Sequence, residues 1–320
     1  MSAPFPLPGM YYGDTSRLGR PFAKDPAVVR FGERYLLYYS IPAYSSDNAG
    51  TAAPGPPTGW GIGIAQSQDL DHWTRLGEVP PDTSDHSPEG NGFCAPGAIV
   101  LNGEVHLFYQ TYGNGPRDAI CHAVSGDGVH FRRNPSNPIF RPAGDWNNGR
   151  AIDADVIPWK GDLLLFFSTR DPEGKVQMGG VASSPLSSGF GRETWRQLGD
   201  GPTIKPELAW EQDCIEAAAV CEEGGRLYQF YGGAYNNAPQ QIGCAVSDDC
   251  INWKRVSDSP LLPNGRPGEW NQSESGHPFI FRDPLDGRTH LFYQGNADNG
   301  VTWYLSRREI RWENGLPILV

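Results

Sequence analysis

One segment recurs five times along the chain: an apolar strand, a turn, usually with glycine, and a second strand ending in aromatics. The copies are DPAVVRFGERYLLYY from Asp25, APGAIVLNGEVHLFY from Ala95, DADVIPWKGDLLLFF from Asp153, EAAAVCEEGGRLYQFY from Glu216 and HPFIFRDPLDGRTHLFY from His277. Their starts fall roughly 60 residues apart, the spacing of a repeat array built from one supersecondary unit. A third element follows in the first four copies: AQSQDLDHWTRL from Ala65, AVSGDGVHFRRN from Ala123, ASSPLSSGFGRETWRQL from Ala182 and AVSDDCINWKRV from Ala245. Here a third strand ends in a polar turn, and a fourth carries Trp73, Phe131, Trp195 or Trp253. In the last copy WYLSRREIRW, from Trp303, takes this place in shorter form.

Four antiparallel strands in each of five repeats specify an all-β chain, a five-bladed β-propeller. A lone blade leaves both faces open; stacking blades into a closed ring buries them and leaves few long edges. The recurring Trp and Phe then belong to the packing between blades. No charge run or low-complexity linker interrupts the array, so residues 1–320 read as a single domain.

Charge narrows the partners. Lys and Arg number 26 against 37 Asp and Glu, a net charge of −11, which repels phosphate backbones and anionic membranes. The expected substrate is neutral, with neither nucleic acid nor membrane as partner, and no apolar run approaches the ~18 residues of a spanning helix. The opening MSAPFPLPGMYYG lacks the basic and long apolar regions of a signal peptide, so the expectation is a cytoplasmic protein unless a leader has been removed. Six cysteines, none in a C-x-x-C pair, permit disulfides but read more simply as buried thiols.

The first residues of the five copies are Asp25, Ala95, Asp153, Glu216 and His277. The first strand of a propeller blade lines the axis, so symmetry brings these residues together at similar depth. Carboxylates gathered in one funnel disfavour each other's ionised forms, and at least one pKa should rise. One carboxyl can then stay protonated as an acid while another stays ionised as a base. Glycoside hydrolysis needs such a pair. For any single residue a polar plug in the channel wall is the alternative, but three carboxylates at one repeat position point to a site.

In these motifs the chain resembles the five-bladed propeller glycosidases, most closely glycoside hydrolase family 43 and its relatives. Lys24-Asp25-Pro26 is similar to the family's first-blade Asp-Pro, and the resemblance implies that Asp25 is the general base. Ala151-Ile152-Asp153 is similar to its Ala-Ile-Asp, whose Asp tunes and orients the acid. Cys214-Ile215-Glu216-Ala217 is similar to the fourth-blade motif whose Glu is the general acid. Phe93-Cys94-Ala95-Pro96 stands where the family has Trp-Ala-Pro, and Ser275-Gly276-His277 resembles its Gly-His. The implied activity is inverting, exo-acting hydrolysis of a terminal arabinofuranosyl, xylosyl or galactosyl-like residue from an oligosaccharide or glycoside. The reaction requires no cofactor. The resemblance does imply a structural calcium ion, with His277 as its metal-linked residue, directly or through water.

Further residues surround this column. Trp146, Trp210 and Trp270 lie in the loops that enter Asp153, Glu216 and His277, where an indole could stack on a sugar or pack into its blade. Arg150 and Arg170 flank Asp153 and could bind substrate or form structural ion pairs; Asp155 is a second acid two residues on. The Pro- and Gly-rich insertion from Tyr44 to Gly59 is a candidate rim. Two alternatives stand beside hydrolysis: a glycoside phosphorylase or anhydro-sugar hydrolase on the same scaffold, and a non-catalytic propeller that binds glycans.

Overall fold

The computed structural model describes residues 7–44, 59–82 and 84–320. All of the Tyr44–Gly59 insertion but its two end residues therefore lies outside the described residues. Five separate four-stranded sheets follow one another along the chain. Blade one holds β1 (Lys24–Phe31), β2 (Arg34–Ile41), β3 (Gly61–Ser67) and β4 (Thr74–Val79). Blade two holds β5 (Phe93–Leu101), β6 (Glu104–Thr111), β7 (Ile120–Ser125) and β8 (Arg132–Arg133). Blade three holds β9 (Ile152–Trp159), β10 (Asp162–Arg170), β11 (Gln177–Pro185) and β12 (Arg196–Leu198). Blade four holds β13 (Ile215–Glu223), β14 (Arg226–Gly233), β15 (Gln241–Ser247) and β16 (Lys254–Arg255). Blade five holds β17 (Glu274–Arg282), β18 (Thr289–Asn296), β19 (Tyr304–Glu313) and β20 (Leu316–Leu319). Every pairing within a blade is antiparallel between sequence neighbours, and the innermost strands β1, β5, β9, β13 and β17 touch in ring order. The chain is a five-bladed β-propeller.

Blade five is more complete than the sequence suggests. WYLSRREIRW forms the third strand, not a shortened fourth, and Leu316–Leu319 adds the outer one. The N-terminal segment then ties blade five to blade one, with Tyr12 bridging Leu305 and Phe22 bridging Trp303. Among the described residues no helix is long and apolar enough to cross a membrane.

The repeated aromatics pack between blades, as their spacing implies. Trp73 and Phe131 join the cluster built on Leu36 and Tyr38, Trp195 the cluster around Phe167, and Trp253 that around Leu164. Each of the three indoles donates its N–H to a nearby backbone carbonyl: Leu70, Phe190 and Cys250. The polar turn before the fourth strand is also built alike in blades one, two and four. Ser67, Ser125 and Ser247 donate to Asp69, Asp127 and Asp249 at 2.9–3.0 Å. Each Asp then accepts the next turn's N–H groups, an Asx turn that starts the hairpin.

A second device recurs in the same blades. Tyr39, Tyr109 and Tyr231 donate their hydroxyls to the buried acids Asp14, Glu89 and Glu211. Each acid also pairs with a fourth-strand arginine: Arg75 at 3.0 Å, Arg133 at 2.7 Å and Arg255 at 2.7 Å. Burying an acid is tolerable because both partners satisfy it. All six cysteines are buried free thiols.

Candidate active site

Each innermost strand breaks its pairing at the same point. Register shifts fall at Lys24/Ala27, Cys94/Gly97, Glu216/Ala219 and Gly276/Phe279, and in blade three opposite Phe166/Ser168, leaving two residues unpaired each time. The first unpaired residue has positive φ in every blade: Asp25 51°, Ala95 47°, Asp153 53°, Ala217 55° and His277 45°. Such a bulge bends the strand and re-aims a side chain. Proline follows at Pro26, Pro96 and Pro278, where no ladder bond needs its missing N–H.

This places Glu216 one residue off the column read from the sequence. Counted back from the hairpin turns that open at Gly32, Asn102, Lys160 and Gly224, the blade-four equivalent of Asp25 and Asp153 is Ala217. Glu216 shares its position with Lys24, Cys94, Ile152 and Gly276. Residue type aligns Glu216 with the column; turn spacing aligns Ala217. Two carboxylates and a histidine, not three carboxylates, share the bulge position.

The bulge N–H groups are held from the preceding blade. Asp25 N–H donates to Gln294 at 3.0 Å, Ala95 to Ser40 at 2.7 Å and Asp153 to Gln110 at 2.8 Å. Ala217 donates to Ser168 at 3.1 Å and His277 to Gln240 at 2.9 Å. Five side chains thus clasp five blades in a closed circle, each rescuing a buried donor that its own sheet leaves unpaired. Four of them stand on second strands directly opposite the residue before the bulge. In blade four that position is Gly232, and the Gln240 side chain fills its space.

The clasps aim the acids at one another. His277 Nε2 lies 3.4 Å from Oδ1 of Asp25 and 3.4 Å from Oδ1 of Asp153, so the two oxygens sit within twice that distance. Glu216 reaches the group through Gln240, whose amide nitrogen donates to Glu216 Oε1 at 2.6 Å while its oxygen holds the His277 N–H. All four side chains are buried. Burial pushes the His277 imidazole down, but Asp25, Asp153 and Glu216 outweigh it and raise the pKa to about 9. Burial pushes Asp25 up, yet the charges of His277 and Lys24 and a bond from Ser40 bring it below its ordinary value. Glu216 moves the opposite way: burial, then the Asp153 charge, raise it above its ordinary value against His277, Gln240 and Lys24. One carboxyl is shifted toward its ionised form and the other toward its protonated form in the same cluster.

Sequence reasoning missed the residues that surround these acids. Lys24 Nζ donates to Asn236 at 2.8 Å, and Asn236 Nδ2 faces Glu216 Oε1 at 3.3 Å. Gln177 Nε2 donates to Glu216 Oε2. Glu274, fully buried, accepts from Gln294 at 2.7 Å and from Asn237 N–H at 2.6 Å, and burial pushes it up to about 7. The legible signal was the polar residue after the second-strand aromatic in four of the blades, as in Tyr109-Gln110 and Tyr293-Gln294.

The flanking candidates have other tasks. Arg170 Nε and Arg150 Nη1 both donate to Gln177 Oε1, at 3.1 and 3.5 Å, and Arg150 also faces Asp118 at 3.6 Å. Trp210 stacks on Tyr231 and donates to the Asp258 carbonyl. Trp270 packs against Tyr11 and Tyr293 and lines a cavity of about 970 Å³ at the chain ends. Trp146 borders a different cavity, of about 600 Å³, with Gln197 and Asp200. Neither cavity contains Asp25, Asp153 or Glu216 in its lining. Asp155 lies deeper along the channel, where its Oδ2 accepts the Val220 N–H at 2.7 Å.

Calcium takes a shell of oxygen ligands. What His277 leaves over is one imidazole nitrogen, Nδ1, buried without a hydrogen-bond partner. Among the described residues no group of three or more His, Cys, Asp or Glu is disposed to hold a metal. The residues present do not make a calcium shell, and no step below runs through one. Cys94 and Cys214 adjoin the acids, but burial and the neighbouring carboxylates raise both thiols, which stay protonated and unreactive.

Comparison with known proteins places this geometry. The family profile described as Glycosyl hydrolases family 43 matches residues 18–317. An uncharacterized protein of Mycobacterium tuberculosis is 27% identical over 218 residues, the match spanning 65% of this chain and 65% of that protein, a little under two thirds of its length. A β-1,2-mannobiose phosphorylase of Thermoanaerobacter is 29% identical over 136 residues, 38% of this chain and 42% of that protein. Among solved structures, an α-L-arabinofuranosidase from Lactobacillus brevis superposes with a TM-score of 0.68 at 16% identity, covering 96% of this chain and 95% of that one.

Proposed function

The chain belongs to glycosyl hydrolases family 43, and from that premise we propose that it hydrolyses an O-glycosidic bond in an oligosaccharide or glycoside, inverting the anomeric centre and releasing a terminal residue. The observation that carries the reading is the gathering of three buried carboxyls around one imidazole: His277 Nε2 stands 3.4 Å from both Asp25 and Asp153, and Gln240 links its backbone N–H to Glu216, with Asp25 shifted down and Glu216 up. Asp25, ionised, takes a proton from water as that water attacks the anomeric carbon. Glu216, protonated, gives its proton to the leaving oxygen as the C–O bond breaks and the electron pair goes to that oxygen. Asp153 acts through charge: it raises Glu216 and helps keep His277 protonated, and His277 in turn keeps Asp25 ionised. Hydrolysis of 4-nitrophenyl α-L-arabinofuranoside, β-D-xyloside and galactosides, with the product anomer followed by NMR, tests the reading. An α-configured first product from a β-glycoside supports inversion. Sugar binding with no turnover of any glycoside would leave a glycan-binding propeller.

Phosphorolysis is a second reading, favoured by two observations. The site carries two cations, the half-buried Lys24 and the buried His277, which could share an anion, and the chain is similar to a phosphorylase. Turnover that depends on phosphate and yields a sugar 1-phosphate would select it.

A further inference from the structure

We propose that Gln177, Asn236 and Gln240 form a cradle of three amides that stabilises the Glu216 carboxylate left behind when its proton passes to the leaving oxygen. The inference rests on the reading of Glu216 as the general acid. Gln177 Nε2 faces Oε2; Gln240 Nε2 and Asn236 Nδ2 face Oε1 at 2.6 and 3.3 Å. A carboxylate only accepts hydrogen bonds, whereas a carboxylic acid gives up part of that capacity to its own proton. Three N–H donors therefore fit the product of proton transfer better than the resting acid. They are in place beforehand, so nothing has to reorganise as charge develops.

Amides suit this task because they carry no net charge. A lysine or arginine in direct contact with Glu216 would pull its pKa down, against the rise that burial and the Asp153 charge give it. An amide has the opposite weakness: turned over, it presents oxygen to the carboxylate. Here all three oxygens are pinned on the far side. Arg170 and Arg150 donate to Gln177 Oε1. Lys24 and Gln294 donate to Asn236 Oδ1 at 2.8 and 3.1 Å. The backbone N–H of His277 donates to Gln240 Oε1 at 2.9 Å. Every nitrogen is left facing Glu216, and the arrangement fixes which end of each amide is which. Arg150, Arg170 and Lys24 act as positioning residues through the amides they hold.

The charged and titratable groups around Glu216 come from several elements: Lys24 on β1, Asp153 on β9, His277 and Glu274 on β17, Cys214 before β13 and Tyr235 after β14. Gln177→Leu alters none of these directly, removes one donor and leaves the volume similar; it also frees Arg150 and Arg170, the two charges behind Gln177, and Arg170→Met is the control for that. With a phenyl glycoside, whose leaving group needs the acid, kcat of Gln177→Leu should fall ~100-fold with little change in KM. With the 2,4-dinitrophenyl glycoside of the same sugar, which leaves unaided, the loss should be several times smaller. The basic limb of the pH profile should move upward, because a lost donor raises Glu216. Arg170→Met should show the same signature more weakly. Equal losses on both glycosides, or an unmoved basic limb, overturn the cradle. A second readout needs no turnover: the Glu216 carboxyl resonance in a ¹³C-glutamate sample, assigned by its absence in Glu216→Gln, should titrate at higher pH in Gln177→Leu. If wild type cleaves neither glycoside, the functional reading fails and this titration alone decides: an unchanged midpoint overturns the cradle, and a raised one supports it.

Discussion

His277 Nε2 stands 3.4 Å from Asp25 Oδ1, with both side chains buried. The imidazolium is the charge that offsets burial at Asp25, so the two residues titrate as partners. His277→Gln removes that charge and lets Asp25 rise. Because the proposed base, Asp25, acts only when ionised, the acid limb of kcat/KM should move to higher pH. Stability follows the same link. A histidine raised from 6.5 to about 9 contributes stability in full below pH 6.5 and loses it as pH climbs through 9. The wild-type melting temperature should therefore fall between those values by several degrees more than that of His277→Gln. Parallel melting curves count against the pair.

The two proposed roles of acid and base separate by leaving group. Asp25→Asn keeps shape and removes the base, so hydrolysis should drop ~1,000-fold whatever the aglycone. Glu216→Gln should drop as far on a phenyl glycoside but much less on a 2,4-dinitrophenyl one. Circular dichroism should leave both variants folded, since neither residue supports a blade core. A Glu216→Gln enzyme equally poor on both substrates would mean that another group supplies the proton.

Much of this architecture was legible because it repeats. The strand pattern around Asp25, Ala95, Asp153 and His277 declared five blades, and the ring brought Asp25, Asp153 and His277 together as symmetry requires. Glu216 was found by its chemistry but placed in the wrong register, because a bulge is set by pairing with β14 and not by residue type. Gln177, Asn236 and Gln240 stayed hidden for a different reason. A glutamine on a strand end is ordinary in sequence; its meaning comes from which side its amide presents, and that depends on partners distant in the chain, such as Glu216 for Gln177 and His277 for Gln240. The Trp residues before Asp153, Glu216 and His277 show the reverse case. Their regular recurrence marked packing, and the indoles of Trp210 and Trp270 sit against Tyr231 and Tyr293.

Blades two and three approach more closely than a side chain allows. A Cβ added to Gly97 would stand 2.3 Å from the Ala154 carbonyl oxygen, a backbone atom that cannot swing aside. Ala154 follows Asp153 in the bulge, so the clash would push directly on Asp153. Gly97→Ala should lower stability by roughly 1–3 kcal/mol and reduce kcat at temperatures where the variant is still folded. A fully active, equally stable variant would mean that the interface relaxes elsewhere.

Asp155 gives the sharpest separation of structure from catalysis. It follows Asp153 by two residues, yet lines a cavity of about 400 Å³ deeper in the channel with Val28, Ala98, Val220 and Phe279. Burial raises its carboxyl to about 7 against the N–H groups of Val220 and Val156. Between the ordinary 3.8 and 7 the folded chain holds a proton that the unfolded chain has released, so stability falls as pH rises through that window and levels off above it. Asp155→Asn keeps an acceptor for the Val220 N–H and removes the titration. The variant should match wild type near pH 4 and melt progressively higher toward pH 7, by about 2–4 °C for each kcal/mol relieved. Its pH–rate profile should stay where it was, because Asp153, not Asp155, faces His277 and Glu216. A shifted basic limb in Asp155→Asn would transfer the tuning role to Asp155.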